Sequence, residues 1–363
     1  MNKGPPDMPI PSYDTSHPVL VTGATGYVAS WLVKRLLEEG FSVHAAVRDP
    51  DNTAKVAHLQ KLAVETPGTL KLFEADLLDQ GSYSEAMQGC SVVFHTASPF
   101  TSHFTDAQKD LFDPAVIGTR NVLETANGVP SVTRIVVTSS TAAIYGETID
   151  CSEAPGGILT EAQWNTSSSL TNGPYAYSKV EAEKTAWDIA KSQSQWRLVT
   201  INPALVLGPS LGPAPTSDSF HWMRLITGGE MKSGVPHLEI GGVDVRDVAE
   251  AHLRAGFLED AEGRHILSNR GTSFLEMAQI IREHFGDSWQ TPKRELPKFL
   301  VWLVGPLLDK SITRRIVSRS FNHPWRADNS KSMEALGIEY RPLEDAIVQM
   351  FQMMIDTRAV KTT

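Results

Sequence analysis

Two cysteines, Cys90 and Cys151, are all that 363 residues contain, too few for a disulfide framework and in keeping with a reducing, cytoplasmic setting. The N-terminal region has no apolar stretch of the kind a secretory signal carries, so the sequon Asn165-Thr166-Ser167 is expected to be a chance match. Long hydrophobic runs are missing too. The longest, Phe299 to Leu308, is about half the ~20 residues a spanning helix needs, which leaves a core helix or a surface-docking segment. There is no basic excess: a net charge of −9 and a pI near 5.7 argue against nucleic acid and anionic membranes as partners. No internal repeat or low-complexity tract is present, and no metal site is expected.

What is present is alternation. Short β-branched runs beginning near Val19, Ser42, Leu70, Val92, Ile135 and Leu198 are separated by helical patterns or by segments long enough to hold a helix. This order predicts an α/β fold, a Rossmann-type doubly wound parallel sheet with right-handed crossovers. Residues 1–17 are expected to be a disordered tail and 18–202 the dinucleotide-binding domain. After Ile201 the texture changes to Asn-Pro, Gly-Pro and Gly-Gly turns, which predicts a smaller substrate domain over 203–240 and 263–363, with the chain returning to the first domain at about 241–262.

The first strand, Val19 to Thr22, runs into Gly23-Ala24-Thr25-Gly26-Tyr27-Val28-Ala29 and then a helical pattern. Gly23 allows the tight turn, Gly26 lets the backbone approach a pyrophosphate, and the helix start presents free N–H groups; Ala29 stands where a third glycine is common. Gly23, Thr25, Gly26, Tyr27 and Val28 are therefore expected to contact the dinucleotide. The second strand ends in Arg48 rather than in a carboxylate, and Lys55 follows on the next helical segment. Two cations without an acid favour a ribose 2′-phosphate, hence NADP(H), with Asp49 and Asp51 as the neutralising alternative. Asp76, at the end of the third strand, is placed to accept from an adenine amino group or simply to cap the strand.

Tyr175-Ala176-Tyr177-Ser178-Lys179 puts a phenol and an ammonium at i and i+4, on one face of a helix. A cation held there favours the phenolate and makes tyrosine a usable acid. Tyr177 has Glu181 at its own i+4 position, which opposes ionisation, so it is expected to pack or to wall the substrate. The fifth strand delivers Ser139, Ser140 and Thr141 toward Tyr175, where one hydroxyl can hold a carbonyl oxygen. Asn121 is a candidate to hold a proton-relay water.

The sequence resembles the extended short-chain dehydrogenases/reductases of the dihydroflavonol reductase, cinnamoyl-CoA reductase and NADPH-dependent aldehyde reductase group. The matching pieces are VTGATGYVASWLVKRLLEEG, VRDP, ADL, VFHTASPF, DPAVIGTRNVL, VTSS, PYAYSK, NPALVLGP, VDVRDVAEAH and NSKSMEALGIEYRPLEDA. The resemblance implies a catalytic set of Ser140, Tyr175 and Lys179, with Thr141 as the alternative hydroxyl. It implies that Arg48 and Lys55 grip the 2′-phosphate, that Asp76 and Leu77 frame the adenine, and that the hydride leaves from the B face. Thr96, Ala97, Ser98 and Pro203, at strand ends, complete the expected cofactor contacts.

Departures narrow the substrate. The Asn-Trp-Tyr-Cys-Tyr signature of cinnamoyl-CoA reductases is replaced by Gly173-Pro174-Tyr175-Ala176-Tyr177, and the flavonoid-orienting Asn of the flavonoid reductases is matched by Tyr145. The expectation is an aldehyde or ketone of modest size, walled by Phe100, Tyr145, Trp164, Tyr177 and Phe220. The alternatives are a hydroxysteroid dehydrogenase or sugar-nucleotide epimerase or dehydratase on the same scaffold, and a dinucleotide-sensing module without catalysis. A small-molecule carbonyl partner and a monomer or homodimer are expected.

Overall fold

The computed structural model describes residues 13–98, 104–213, 217–308 and 312–360. The first part of the chain runs β1 (Val19–Thr22), α1 (Tyr27–Glu38), β2 (Ser42–Val47), α2 (Thr53–Glu65), β3 (Thr69–Glu74), α3 (Ser84–Met87), β4 (Val92–His95), α4 (Asp113–Asn127) and β5 (Arg134–Thr138). It continues through α5 (Ile149–Glu153), α6 (Pro174–Lys191), β6 (Arg197–Pro203), β7 (Leu205–Leu207), α7 (Asp218–Thr227), β8 (Val235–Pro236), β9 (Glu239–Asp244), α8 (Val245–Phe257) and β10 (Gly263–Leu267). The last part holds β11 (Arg270–Ser273), α9 (Phe274–Phe285), β12 (Glu295–Leu296), α10 (Lys298–Leu308), α11 (Arg314–Ser320), α12 (Ser330–Ala335) and α13 (Leu343–Asp356).

Seven strands form one sheet in the order β10-β6-β5-β4-β1-β2-β3, and every neighbouring pair is parallel. The alternation in the sequence predicted this sheet. Strands β1 and β4 are buried along their whole length because helices cover both faces, which is why they read as continuous apolar runs. One face packs Leu32, Val33, Leu36 and Leu37 of α1 and Val248, Ala251 and Ala255 of α8; the other packs Val122, Leu123 and Ala126 of α4 and Ala186 and Ile189 of α6. The strand order reverses between β1 and β4, and the crevice beyond the carboxyl ends at that point is where such sheets bind ligands.

Two boundaries differ from expectation. The expected tail is packed from Tyr13, whose ring lies 5.4 Å from that of Phe257 and 6.1 Å from that of Phe41. The chain's return to the first unit runs through α8 and β10, because β10 pairs with β6, whereas β9 belongs to a separate three-stranded sheet with β7 and β11. That small sheet, with Phe220 and Met223 of α7, Met277 and Ile281 of α9 and Ile347 and Phe351 of α13, encloses the second core.

Candidate active site

Gly23 holds φ at +62°, and a Cβ added there would lie 3.0 Å from Cα of Ala97. Backbone handedness and the close approach of β4 therefore both demand glycine. The Gly26 N–H closes the turn on the Gly23 carbonyl at 2.8 Å. Gly26 then serves as N-cap of α1 without a capping side chain, and the first turn of α1 has no acid. Its leading N–H groups remain open to an anion. Tyr27, by contrast, turns its side chain away: the hydroxyl donates to the Gly208 carbonyl at 2.6 Å and the ring meets Phe220 edge-on at 5.1 Å. Of the contacts expected of Tyr27, only its backbone N–H remains available.

At the end of β2, Arg48 is exposed, as is Lys55 in the first turn of α2. Neither has an ion pair among the described residues. The Asp49 carboxylate is occupied by the backbone N–H groups of Asp51 and Asn52, at 3.0 and 3.2 Å. These bonds hold the Asp49 carboxylate in the turn into α2. Asp76 accepts from the Leu78 N–H at 2.8 Å, an Asx turn that leaves its carboxylate otherwise exposed, and Leu77 lies against Gly118 of α4.

Asn121 is engaged by the loop after β3. Its carboxamide donates to the carbonyls of Leu77 and Asp79 at 3.1 and 2.7 Å and accepts from the Gly81 N–H at 3.1 Å, so it staples the loop after β3 to α4. Three of the four hydrogen-bonding positions of the side chain are thus taken by backbone, both donors among them.

Helix α6 starts cleanly because Gly173, at φ 69°, reverses the chain and Pro174 occupies the first turn. Tyr175 and Lys179 lie on one face, the Lys179 Nζ 5.7 Å from the Tyr175 ring centre. Ser140 hydrogen-bonds to the Tyr175 phenol. The Ser140 Oγ also accepts from the Ala142 N–H at 3.1 Å, capping a short 3₁₀ turn over Thr141–Ala143 that fixes the hydroxyl's position. Thr141 is buried in that turn.

The electrostatics differ from the simple picture of a cation lowering a phenol. Burial pushes the Tyr175 phenol above its ordinary value, the Asp218 carboxylate adds to that, and the Ser140 hydrogen bond opposes it. The Lys179 ammonium is turned elsewhere: it donates to the Ser98 Oγ at 2.8 Å. Burial pushes Lys179 down to about 8, with Glu183 acting in the opposite direction. His95 lies beneath, its Nδ1 3.0 Å from the Thr22 hydroxyl and its Nε2 3.4 Å from that of Thr119. The Thr22 oxygen also accepts from the Ala97 N–H at 3.0 Å, so one hydroxyl links the end of β1, the imidazole and the segment after β4. Burial first, and Lys179 second, push His95 down to about 3.

Sequence reasoning missed the hub of this region. Glu183, four residues beyond Lys179 on α6, accepts from Ser139 Oγ at 2.5 Å, Asn202 Nδ2 at 2.8 Å and Arg264 Nε at 2.6 Å. Asn202 also donates to the Ser140 carbonyl at 3.2 Å. One buried carboxylate thus ties α6 to the ends of β5 and β6 and to β10. The available signal was the i+4 spacing from Lys179; its partners come from strands remote in sequence.

Several rings of the expected aromatic wall have partners of their own. Phe220 is fully buried in the second core, and Tyr177 stacks on Phe112 at 5.4 Å. Trp164 lies under the Arg264 guanidinium, 4.0 Å from its ring centre, and with Lys184, Trp187, Asp188 and Lys191 lines an open groove on the outer side of α6. The cation has recruited that indole. Tyr145 is half-buried beside Trp325, 6.3 Å between ring centres, and Phe100 lies outside the described residues. Pro203 ends β6, and Thr96, Ala97 and Ser98 follow β4 at the crevice. Among the described residues no group of three or more His, Cys, Asp or Glu side chains is arranged to hold a metal.

Comparison with known proteins gives a consistent picture. The model of the NAD dependent epimerase/dehydratase family matches residues 19–266. A cinnamoyl-CoA reductase of Medicago truncatula is 37% identical over 332 residues, covering 91% of this chain and 93% of that protein. An anthocyanidin reductase of Arabidopsis thaliana is 40% identical over 276 residues, covering 73% and 79%. Among solved structures, Gre2 of Candida albicans in complex with NADPH superposes with a TM-score of 0.75 at 32% identity, covering 94% of this chain and 99% of that one.

Proposed function

The chain belongs to the NAD dependent epimerase/dehydratase family, the extended short-chain dehydrogenases/reductases, and from that we propose that it is an NADPH-dependent reductase of a free aldehyde or ketone. The observation that carries the reading is the Tyr175 phenol bonded to Ser140, with Lys179 on the same helix face, at the carboxyl end of the sheet.

The residues present fit the cofactor. A Cβ at Gly23 would fill the turn, the start of α1 carries neither a capping side chain nor an acid, and Arg48 at the end of β2 and Lys55 in the first turn of α2 make no ion pair among the described residues. The turn and α1 would hold the pyrophosphate, Arg48 and Lys55 the 2′-phosphate, and Lys179 the nicotinamide ribose. When bound, NADPH supplies the hydride.

The protein's part is position and a proton. Ser140 holds the carbonyl oxygen of the substrate through a hydroxyl fixed by its own capping bond. Tyr175 gives its proton to that oxygen as negative charge develops there. A buried phenol favours the protonated form, so the acid is loaded before turnover; the ammonium of Lys179 and the Ser140 hydroxyl then stabilise the phenolate left behind. Ser140 is favoured over Thr141 because Ser140 bonds the phenol while Thr141 is buried in the 3₁₀ turn.

A free carbonyl is favoured over a thioester because Gly173-Pro174-Tyr175-Ala176-Tyr177 stands in place of the thioester-reductase signature. The test is NADPH oxidation with aliphatic and aromatic aldehydes, ketones, a cinnamoyl-CoA thioester and an anthocyanidin. Turnover confined to the thioester or the flavonoid would refute the substrate class, and turnover with NADH at equal efficiency would refute the cofactor.

A further inference from the structure

Helix α10, with sequence KFLVWLVGPLL, is charged only at its first residue. Six of its large apolar side chains are open to solvent: Phe299 at 74%, Leu300 at 40%, Trp302 at 40%, Leu303 at 57%, Leu307 at 84% and Leu308 at 81%. Val301 and Gly305, four residues apart on one side, are turned inward. Val301 packs with Val317 of α11 and with Phe321, and a Cβ at Gly305 would lie 2.8 Å from Ile312, just ahead of α11. At about 100° per residue the exposed positions sweep an arc of about 240°, leaving α11 only the remainder.

That arc decides between occupants. A second protein surface laid on a helix covers a stripe of about 100° and would leave much of this apolar surface wet. A fluid apolar phase surrounds a helix on every side that the protein does not cover. The helix has 11 residues, about 16 Å in length, so it is suited to lie in a membrane interface and not to cross the hydrocarbon core; among the described residues no helix is long and apolar enough to cross.

Charge points the same way. From Lys293 to Arg319 the sequence holds seven Lys or Arg and two acids, Glu295 and Asp309, within a chain of net charge −9; Lys293 pairs with Asp287, and Arg315 and Arg319 with Glu147, while Arg294, Lys298 and Arg314 make no ion pair among the described residues. Arg314 makes no ion pair among the described residues and rests 4.7 Å from the Trp302 ring centre, a cation beside an interfacial aromatic. The hairpin is firmly mounted. Lys298 Nζ donates to the carbonyls of Ser318 and Phe321 at 2.9 and 2.7 Å, and Arg315 and Arg319 both grip the buried Glu147, seven residues after Ser140.

We propose that α10 docks this protein on an anionic lipid surface, with Phe299, Trp302, Leu303, Leu307 and Leu308 entering the acyl boundary and Arg314 meeting the headgroups. The overall charge of −9, which argued against such a surface, conceals a local basic segment of opposite sign. Docking is independent of the reductase reading, since it requires no turnover.

The test is co-sedimentation of the full chain with phosphatidylcholine vesicles containing 30 mol% phosphatidylglycerol, beside pure phosphatidylcholine and a high-salt arm. The expected result is pelleting with the anionic vesicles, weakened by salt, and at least a roughly 10-fold loss of partitioning for the L303E/L307E variant. Both leucines are exposed, so the variant should keep the wild-type melting temperature and NADPH binding. The proposal is overturned if the wild type stays in the supernatant, or if L303E/L307E partitions like the wild type. It is overturned equally if light scattering shows a dimer that L303E/L307E splits, which would make the occupant a second copy.

Discussion

The Lys179 ammonium donates a 2.8 Å hydrogen bond to the Ser98 hydroxyl, across 81 residues of sequence, and so stands at the end of β4 as well as beside Tyr175. This double placement separates two functions that the tyrosine–lysine spacing alone merges. Replacing Tyr175 by Phe removes the proton donor and leaves Lys179 in place. Turnover should fall about 100- to 10,000-fold while NADPH affinity stays within a few-fold of wild type. Replacing Lys179 by Met should impair both. Calorimetric NADPH titration beside steady-state kinetics separates the two; wild-type turnover in Y175F would end the acid assignment. Ser140→Ala should lose turnover where Thr141→Val keeps it.

The pH profile follows from Lys179. Burial holds this group near 8, and the reaction requires its charged form, so kcat/KM should fall as pH rises through about 8. Glu183 favours the ammonium, so E183Q should move the basic limb to lower pH. The other neighbours are His95, neutral at these pH values, and the Tyr175 phenol, which is protonated. E183Q also leaves Arg264 buried without its carboxylate and should lower stability by a few kcal/mol, so profiles are measured well below the variant's melting temperature. An unshifted limb in a folded E183Q would show that Glu183 serves architecture alone.

We expect Arg48 to decide the choice of cofactor. The adjacent Asp49 carboxylate is held by the turn into α2 and makes no ion pair with Arg48 among the described residues. Arg48→Ala should weaken NADPH binding by about 1.5–3 kcal/mol, roughly 10- to 100-fold, and leave NADH binding nearly unchanged. Equal losses for both would place Arg48 outside the 2′-phosphate site.

The parallel sheet was legible because its strands are fully covered and keep an unbroken apolar signature, as Val19–Thr22 and Val92–His95 show. Gly23 was legible because positive φ and close packing admit only one residue type. Side chains recruited by distant partners were not legible. Trp164 is claimed by Arg264, a hundred residues away, and Asn121 by the backbone of the loop after β3. The Glu183 hub depends on Asn202 and Arg264 arriving from separate strands, and no local pattern encodes that convergence. The ring partners of the expected wall residues were not legible for the same reason: Phe220 and Tyr177 meet Tyr27 and Phe112, which are remote in sequence.

Buried imidazoles set the acid limit of the fold. His95, His252 and His265 are all held neutral by burial, pushed from 6.5 to about 3, 4 and 3. A depressed folded value means that the unfolded chain binds the proton first. The stability these groups contribute is therefore complete above about pH 6.5 and is lost as pH falls from there to about 4 for His252 and about 3 for His95 and His265, at up to about 1.4 kcal/mol per pH unit for each group. Asp218 and Asp247, whose carboxyls burial raises from 3.8, act with the opposite sign near the lower end of that window. The melting temperature should thus begin to drop near pH 6.5 and fall most steeply between about pH 5.5 and 4, with Asp218 and Asp247 offsetting part of the loss at the lower end. His252 is the most informative site, since its Nδ1 and Nε2 each have a partner at 2.7 Å, the Val248 carbonyl and the Thr138 hydroxyl. His252→Gln retains polar atoms on that ring's path but cannot take a proton. It should therefore lower stability at pH 7.5 yet flatten the acid slope, and an unchanged slope would show that other groups drive the acid transition.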